Sequence, residues 1–225
     1  RQLYSKAITL NSYSVPDTAI VASIQSDGIK LNTELIYTFG KNKQPVYMAI
    51  IGNTTSYGKS VSRTLSTWSP MIDASSTALS RVVWDGIKWI ITSTSTHSIS
   101  TTYDQVMYRR YMVPNEYASI GFNPRTNQYV AIGNSGLYNS FDSINWRSNP
   151  SGTALINNAS NYHNGKVVWN GAIWVVAGNG GVNSLLYSED GVNWYSGGSG
   201  IFDSAYGSFD VAWSGSIWVA VGTPA

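Results

Sequence analysis

Cysteine is absent from the 225 residues. That removes disulfides, thiolate zinc sites, iron–sulfur clusters and cysteine nucleophiles from consideration. Histidine occurs only twice, too rarely for a histidine-rich metal site, so no metal and no cofactor is expected. Charge is scarce as well. Aspartate, glutamate, lysine and arginine make up 12% of the chain, about half of the roughly 25% usual in globular domains. Lys+Arg of 14 against Asp+Glu of 12 gives no basic surface for a nucleic acid. No apolar run approaches the ~18 residues of a membrane span, and no secretory pattern follows Arg1. What the chain has in quantity is aromatic: 9 Trp, 15 Tyr and 5 Phe, 13% in all. That excludes intrinsic disorder and leaves solubility to Ser, Thr, Asn and Gly.

These aromatics recur at a fixed period. Val82-Val83-Trp84-Asp85-Gly86-Ile87-Lys88-Trp89, Val167-Val168-Trp169-Asn170-Gly171-Ala172-Ile173-Trp174 and Val211-Ala212-Trp213-Ser214-Gly215-Ser216-Ile217-Trp218 are three copies of one unit. Each reads as a β-hairpin, with Asp-Gly, Asn-Gly or Ser-Gly at the turn and β-branched or aromatic residues on both sides. Weaker copies run from Phe122 to Ile132 and from Leu35 to Ile51. The second aromatic of each copy is Tyr47, Trp89, Tyr129, Trp174 or Trp218, a spacing of roughly 40 to 45 residues, the size of a propeller blade. Their regular recurrence marks the Trp residues as inter-blade core rather than a ligand cage.

A second hairpin follows each unit, and its turn has its own pattern: Ser140-Phe141-Asp142-Ser143-Ile144-Asn145-Trp146 and Ser188-Glu189-Asp190-Gly191-Val192-Asn193-Trp194. Asp104 and Trp68 mark degenerate copies, and Asp27-Gly28 a fifth near the N-terminus. A short Asp side chain accepts hydrogen bonds from its own turn, Gly or Ser relieves the backbone, and Trp packs the turn on the sheet. Asp27, Asp104, Asp142, Asp190, Trp68, Trp146 and Trp194 are therefore read as structural.

The pattern resembles the Asp-box repeat of bacterial-neuraminidase type, shortened by one residue between Asp and Trp. The resemblance implies an all-β fold, a β-propeller of four-stranded antiparallel blades, and the count of the repeats in this chain makes it five-bladed. Hairpin 211–222 lacks a second hairpin and hairpin 18–31 lacks a first, so the two ends are expected to share one blade and close the ring. Residues 18–225 then form the propeller, and residues 1–17 an added edge strand or an arm to a larger assembly.

Both kinds of turn project from one end of such a fold. The long connections Ser69–Arg81, Arg109–Ala118, Arg147–Gly165 and Tyr195–Phe209 emerge at the other, where binding residues are expected. Their candidates are Tyr111, Tyr117, Asn158, Asn161, Tyr162, His163 and Tyr206, suited to stacking and hydrogen bonding with a glycan or to a protein partner. Tyr162 and Tyr206 lie at equivalent positions before Trp169 and Trp213 and suggest a repeated subsite. Sialidase chemistry is not expected, because no arginine triad can be assigned. The entrances of the first strands carry a mixture, Glu34, Arg81, Lys166 and Asp210, which is a poor acid–base pair for a glycosidase. The expectation is a recognition module without catalysis, lectin-like or an attachment component on a virion or cell surface. A structural assembly protein and, less favoured, a glycosidase are the alternatives.

Overall fold

The computed structural model describes residues 79–93, 96–103, 108–156, 165–178, 183–198, 200–202 and 207–225, together with the backbone of the earlier strands. Those strands are β1 (Gln2–Leu3), β2 (Ile8–Leu10), β3 (Tyr13–Val15), β4 (Ala22–Gln25), β5 (Gly28–Leu31), β6 (Glu34–Thr38), β7 (Tyr47–Gly52), β8 (Tyr57–Ser62) and β9 (Ile72–Ser75). Then come β10 (Leu79–Trp84), β11 (Trp89–Ser93), β12 (Ser98–Thr102) and β13 (Arg109–Met112), followed by β14 (Tyr117–Asn123), β15 (Gln128–Gly133), β16 (Gly136–Ser140) and β17 (Arg147–Asn149). A short helix, α1 (Pro150–Leu155), precedes β18 (Gly165–Trp169), β19 (Trp174–Gly178), β20 (Leu185–Ser188) and β21 (Tyr195–Gly198). The chain ends on β22 (Ser208–Trp213) and β23 (Trp218–Gly222).

The fold is all-β and propeller-like. Strands β10–β13, β14–β17 and β18–β21 form three four-stranded antiparallel meanders; β7–β9 make a three-stranded sheet and β22–β23 a two-stranded one. The first strands β10, β14, β18 and β22 pack on one another in that order, as radial sheets sharing an inner row require. Two compact units are distinguished, one of Arg1–Tyr47 with Ser62–Trp68 and one of the remaining residues.

Near the N-terminus the pairing departs from the sequence expectation. Leu35 does not form a hairpin with Tyr47–Gly52. Instead β6 pairs with β5, with Leu35 opposite Lys30, and β7 lies beside β8. Closing β5 on β6 requires only Asn32 and Thr33, whereas joining β6 to β7 requires the longer stretch from Phe39 to Val46. In the N-terminal unit β4 has β1 on one side and β5 on the other, and β5 has β4 and β6. Gln2 and Leu3 stand opposite Ser23 and Ala22, which makes this part of the first 17 residues an edge strand.

Inter-sheet packing follows one rule. Each sheet turns an aliphatic face toward the aromatic face of the next. Val83, Ile90 and Ile99 meet Ile120, Phe122, Tyr129 and Ala131; Val130 and Ile132 meet Val167, Trp169, Trp174 and Val176; Val168 and Val175 meet Val211 and Trp218. The two aromatics of a unit face each other across the hairpin, as Trp84 with Trp89, Trp169 with Trp174 and Trp213 with Trp218, at centroid distances of 5.1, 5.2 and 5.1 Å. Their burial differs. Trp174 is fully buried, a wedge between sheets, Trp84 keeps 46% of its surface exposed, and Trp89, Trp169, Trp213 and Trp218 are half-buried, which corrects the uniform core assignment. Gly121 makes room for the wedge, since a Cβ there would stand 2.9 Å from Trp174 Cζ3 and 2.9 Å from Val167 Cγ1.

Candidate functional site

The first turn of each unit explains its sequence. Asp85 Oδ1 accepts from the amides of Ile87 and Lys88 at 2.8 and 2.7 Å. Asn170 Oδ1 does the same for Ala172 and Ile173 at 2.9 and 2.8 Å, and Ser214 Oγ for Ser216 and Ile217 at 3.3 and 3.1 Å. The next residue is glycine in all three, at φ values of 95°, 101° and 101°, a region that carries a steric cost for any side chain. Asp85 goes further. Its Oδ2 accepts from Tyr129 Oη on the next sheet at 2.7 Å and pairs with Lys88 at 3.1 Å. Burial raises its pKa, and the hydrogen bonds from Lys88, Tyr129 and Ile87 outweigh that and hold it below the ordinary value. Sequence reasoning placed Asp85 at the turn through its Asp-Gly pair, but not the bond to Tyr129, which joins it to the next sheet.

The second turns are equally self-contained. Asp142 Oδ1 accepts from Ser140 Oγ (2.9 Å) and from the amides of Ile144 (2.8 Å) and Asn145 (2.7 Å), while Oδ2 accepts from Asn145 Nδ2 at 2.7 Å. Asp190 repeats the set with Ser188, Val192 and Asn193 at 3.0, 2.8, 2.7 and 2.8 Å. Trp146 and Trp194 donate Nε1–H to the carbonyls of Ser143 and Gly191, the two residues of these turns at positive φ. Burial pushes both carboxyls up, and the hydrogen bonds more than offset it, leaving each at about 2 against an ordinary 3.8. A depressed folded-state pKa contributes stability that is complete above the unfolded value and vanishes as pH falls through the folded one. The urea midpoint is therefore expected to hold from neutral pH down to about 5 and to drop between about 4 and 2. Replacing Asp142 and Asp190 together by Asn should flatten that drop; an unchanged slope would remove these two groups as its cause.

At the opposite end lies the inner row. Three of the four first strands carry a bulge near their entrance, between Leu79 and Val82, Tyr117 and Ser119, and Ser208 and Asp210. Bulges re-aim side chains, and these are pinned. Thr92 Oγ1 accepts from the Arg81 amide at 3.0 Å. Ser80 Oγ donates to the Ala118 carbonyl on the next sheet at 2.6 Å, the Val167 amide donates to Ser119 Oγ at 3.3 Å, and Ser208 Oγ donates to the Ser184 carbonyl at 2.6 Å. The residue three before the first aromatic of each unit, Trp84, Phe122, Trp169 and Trp213, forms a series: Arg81, Ser119, Lys166, Asp210. Lys166 Nζ and Asp210 Oδ1 are 3.5 Å apart across two sheets.

The loop candidates fare unevenly. Asn158, Asn161, Tyr162, His163 and Tyr206 lie outside the described residues, as do Asp27, Asp104 and Trp68. Tyr111 is not in a loop: it sits on β13 opposite Ile99, half-buried against the core. Tyr117 is not a surface residue. It is 1% exposed, stacked between Tyr138 and Trp146 at 5.2 and 4.9 Å, and burial first, then Tyr138, pushes its phenol well above the usual range. The long connections themselves are shorter than expected, because β13, β17 and β21 occupy their first residues. Arg-Arg-Tyr-Met, Arg-Ser-Asn and Tyr-Ser-Gly-Gly carry little strand propensity; they are polar outer edges whose pairing is imposed by the turn before them.

The described residues contain no group of three or more His, Cys, Asp and Glu placed to hold a metal ion, and no helix among them is long and apolar enough to cross a membrane. No family model matches the chain, and no curated protein matches it. Solved structures do. The chain is similar to YCF48 bound to D1 peptide, with 13% identity, 80% of this chain and 79% of that one covered, and a TM-score of 0.42. It is also similar to the computationally designed Ika8 protein, with 11% identity, 92% and 79% covered, and a TM-score of 0.42.

Proposed function

We propose that this chain is a recognition module without catalytic activity, a five-bladed propeller of Asp-box type whose loop end binds a polar ligand such as a glycan, in the role of an attachment component on a virion or cell surface. The observation carrying the reading is the use made of the carboxylates among the described residues. A retaining or inverting glycosidase needs two carboxyl groups facing each other ~5 to 9 Å apart, one of them with a raised pKa. Asp85, Asp142 and Asp190 are instead held by their own turns with lowered pKa values, Glu116 Oε2 accepts from Asn134 Nδ2 at 2.8 Å, and Asp210 pairs with Lys166. Acids committed to turns and ion pairs make a rigid scaffold. The five-blade count rests on the repeat spacing and on five consecutive sheets from Tyr47 to Gly222.

The test is a glycan array probed with the wild type and with Tyr162→Ala and Tyr206→Ala. Loss of binding by at least tenfold in each variant, at an unchanged melting temperature, is the expected result. Binding undiminished in both would remove the Tyr subsites, and release of reducing sugar from any bound glycan would overturn the reading as non-catalytic.

A further inference from the structure

The inner row contains a cation whose charge nothing described balances. Lys166 is neutralised across the sheet boundary by Asp210, 3.5 Å away. For the guanidinium of Arg81 no ion pair and no side-chain hydrogen bond is found among the described residues. Arg81 nevertheless has a fixed backbone: its amide donates to Thr92 Oγ1 at 3.0 Å, the bulge between Leu79 and Val82 sets its direction, and Ser80 ties the same bulge to Ala118 on the next first strand. Between Arg81 and Lys166 the corresponding residue is Ser119. Its side chain is short, 1% exposed and turned to the neighbouring sheet, where it accepts from the Val167 amide. The row thus reads cation, gap, cation, with the second cation already paired.

We propose that this gap over β14 is a binding site for one oxyanion, a carboxylate or sulfate group, held by Arg81 on one side and by Lys166 on the other. It rests on the reading of the loop end as the binding end and deepens it, by assigning an anionic substituent to the ligand. A planar guanidinium held by a pinned bulge suits bidentate contact with two oxygens. Asp210 competes with the anion for Lys166, so its removal has the opposite sign from removal of Arg81. That sign separates a site from a merely positive surface: loss of Arg81 and loss of Lys166 weaken binding, and neutralising Asp210 strengthens it. A single site of this kind is compatible with a chain that has no basic stripe.

The experiment uses the full chain at constant ionic strength, chloride being exchanged for sodium sulfate in one arm and for sodium acetate in the other, with amide shifts followed by NMR. Saturable shifts at the amides of Arg81, Ser119 and Lys166 in one arm, with the Ile144 and Val192 turn amides unmoved, are expected; the arm that saturates at lower concentration names the oxyanion. Arg81→Gln should weaken that binding at least fivefold and Asp210→Asn should tighten it about threefold, both with the wild-type near-ultraviolet signature of the Trp residues. Uniform shifts that never saturate, equal affinity in Arg81→Gln, or weaker binding in Asp210→Asn would each overturn the site. The two proposals fail separately. An array result lost through Tyr162→Ala and Tyr206→Ala with no oxyanion titration leaves recognition standing without this site, and a titration with no array binding leaves the site without the glycan.

Discussion

Trp174→Ala is expected to remove about 3 to 5 kcal/mol of unfolding free energy, the range for emptying a large buried aromatic. A domain of this kind has only roughly 5 to 15 kcal/mol in total, so the variant should be largely unfolded at modest urea concentrations. The reason lies in the fit between sheets. Trp174 is the wedge of β18–β21, fully buried, and Gly121 on the preceding sheet is the space it fills. The reciprocal change should also destabilise, because a methyl group at Gly121 would stand 2.9 Å from the indole; overpacking of that order costs about 1 to 3 kcal/mol. Trp174→Phe shortens the wedge and also removes an indole N–H that has no hydrogen-bond partner. Gly121→Ala should therefore be better tolerated in the Trp174→Phe background than in the wild type, by about 1 kcal/mol in a double-mutant cycle. Simple additivity of the two changes would show that the residues do not share a packing site.

Asn149 is the second position where a small change should have a large effect. Its Oδ1 caps α1 by accepting from the Gly152 amide at 2.9 Å, in a helix with proline at its first position. Its Nδ2 donates to Asn139 Oδ1 at 2.7 Å and to the Gly191 carbonyl of the next sheet at 3.1 Å. Asn139 Nδ2 reaches the same carbonyl at 2.7 Å, so two amides of one sheet hold the Asp190 turn of another. Asn149→Ala loses the cap, about 1 kcal/mol, and leaves buried polar atoms short of partners, roughly 1 to 3 kcal/mol more. A total of about 2 to 4 kcal/mol is expected from urea unfolding at an unchanged m-value. Asn149→Ser keeps a good capping oxygen but not the reach to Gly191, and should recover only the first part. If Ser and Ala are equally destabilised, the cap contributes nothing and the whole effect resides between the sheets.

Both positions show where sequence reasoning stops. Asn149 stands among Arg147, Ser148 and Pro150 in a stretch without apolar alternation, and nothing local distinguishes it. It matters because the chain brings Gly191, 42 residues away, to its amide. Gly121 is one glycine among 21, and only the arrival of Trp174 gives it a role. Tyr117 was legible as an aromatic after a polar stretch and so looked accessible, but it opens β14, and there the pleat directs its ring into the core beside Tyr138 and Trp146.

The sequence by itself determined the repeating hairpins, the two kinds of turn and the paired aromatics of each unit, because these are local. A short polar side chain ahead of glycine closes its own turn, and alternation over a few residues selects a sheet face, whatever surrounds them. Tertiary structure alone decided which outer strands complete the sheets, which sheet each N-terminal hairpin joins, and how Arg81, Ser119, Lys166 and Asp210 line up. Those outcomes depend on register across neighbouring sheets and on bulges of a single extra residue, which shift a side chain from one face to the other while leaving the pattern of residues unchanged.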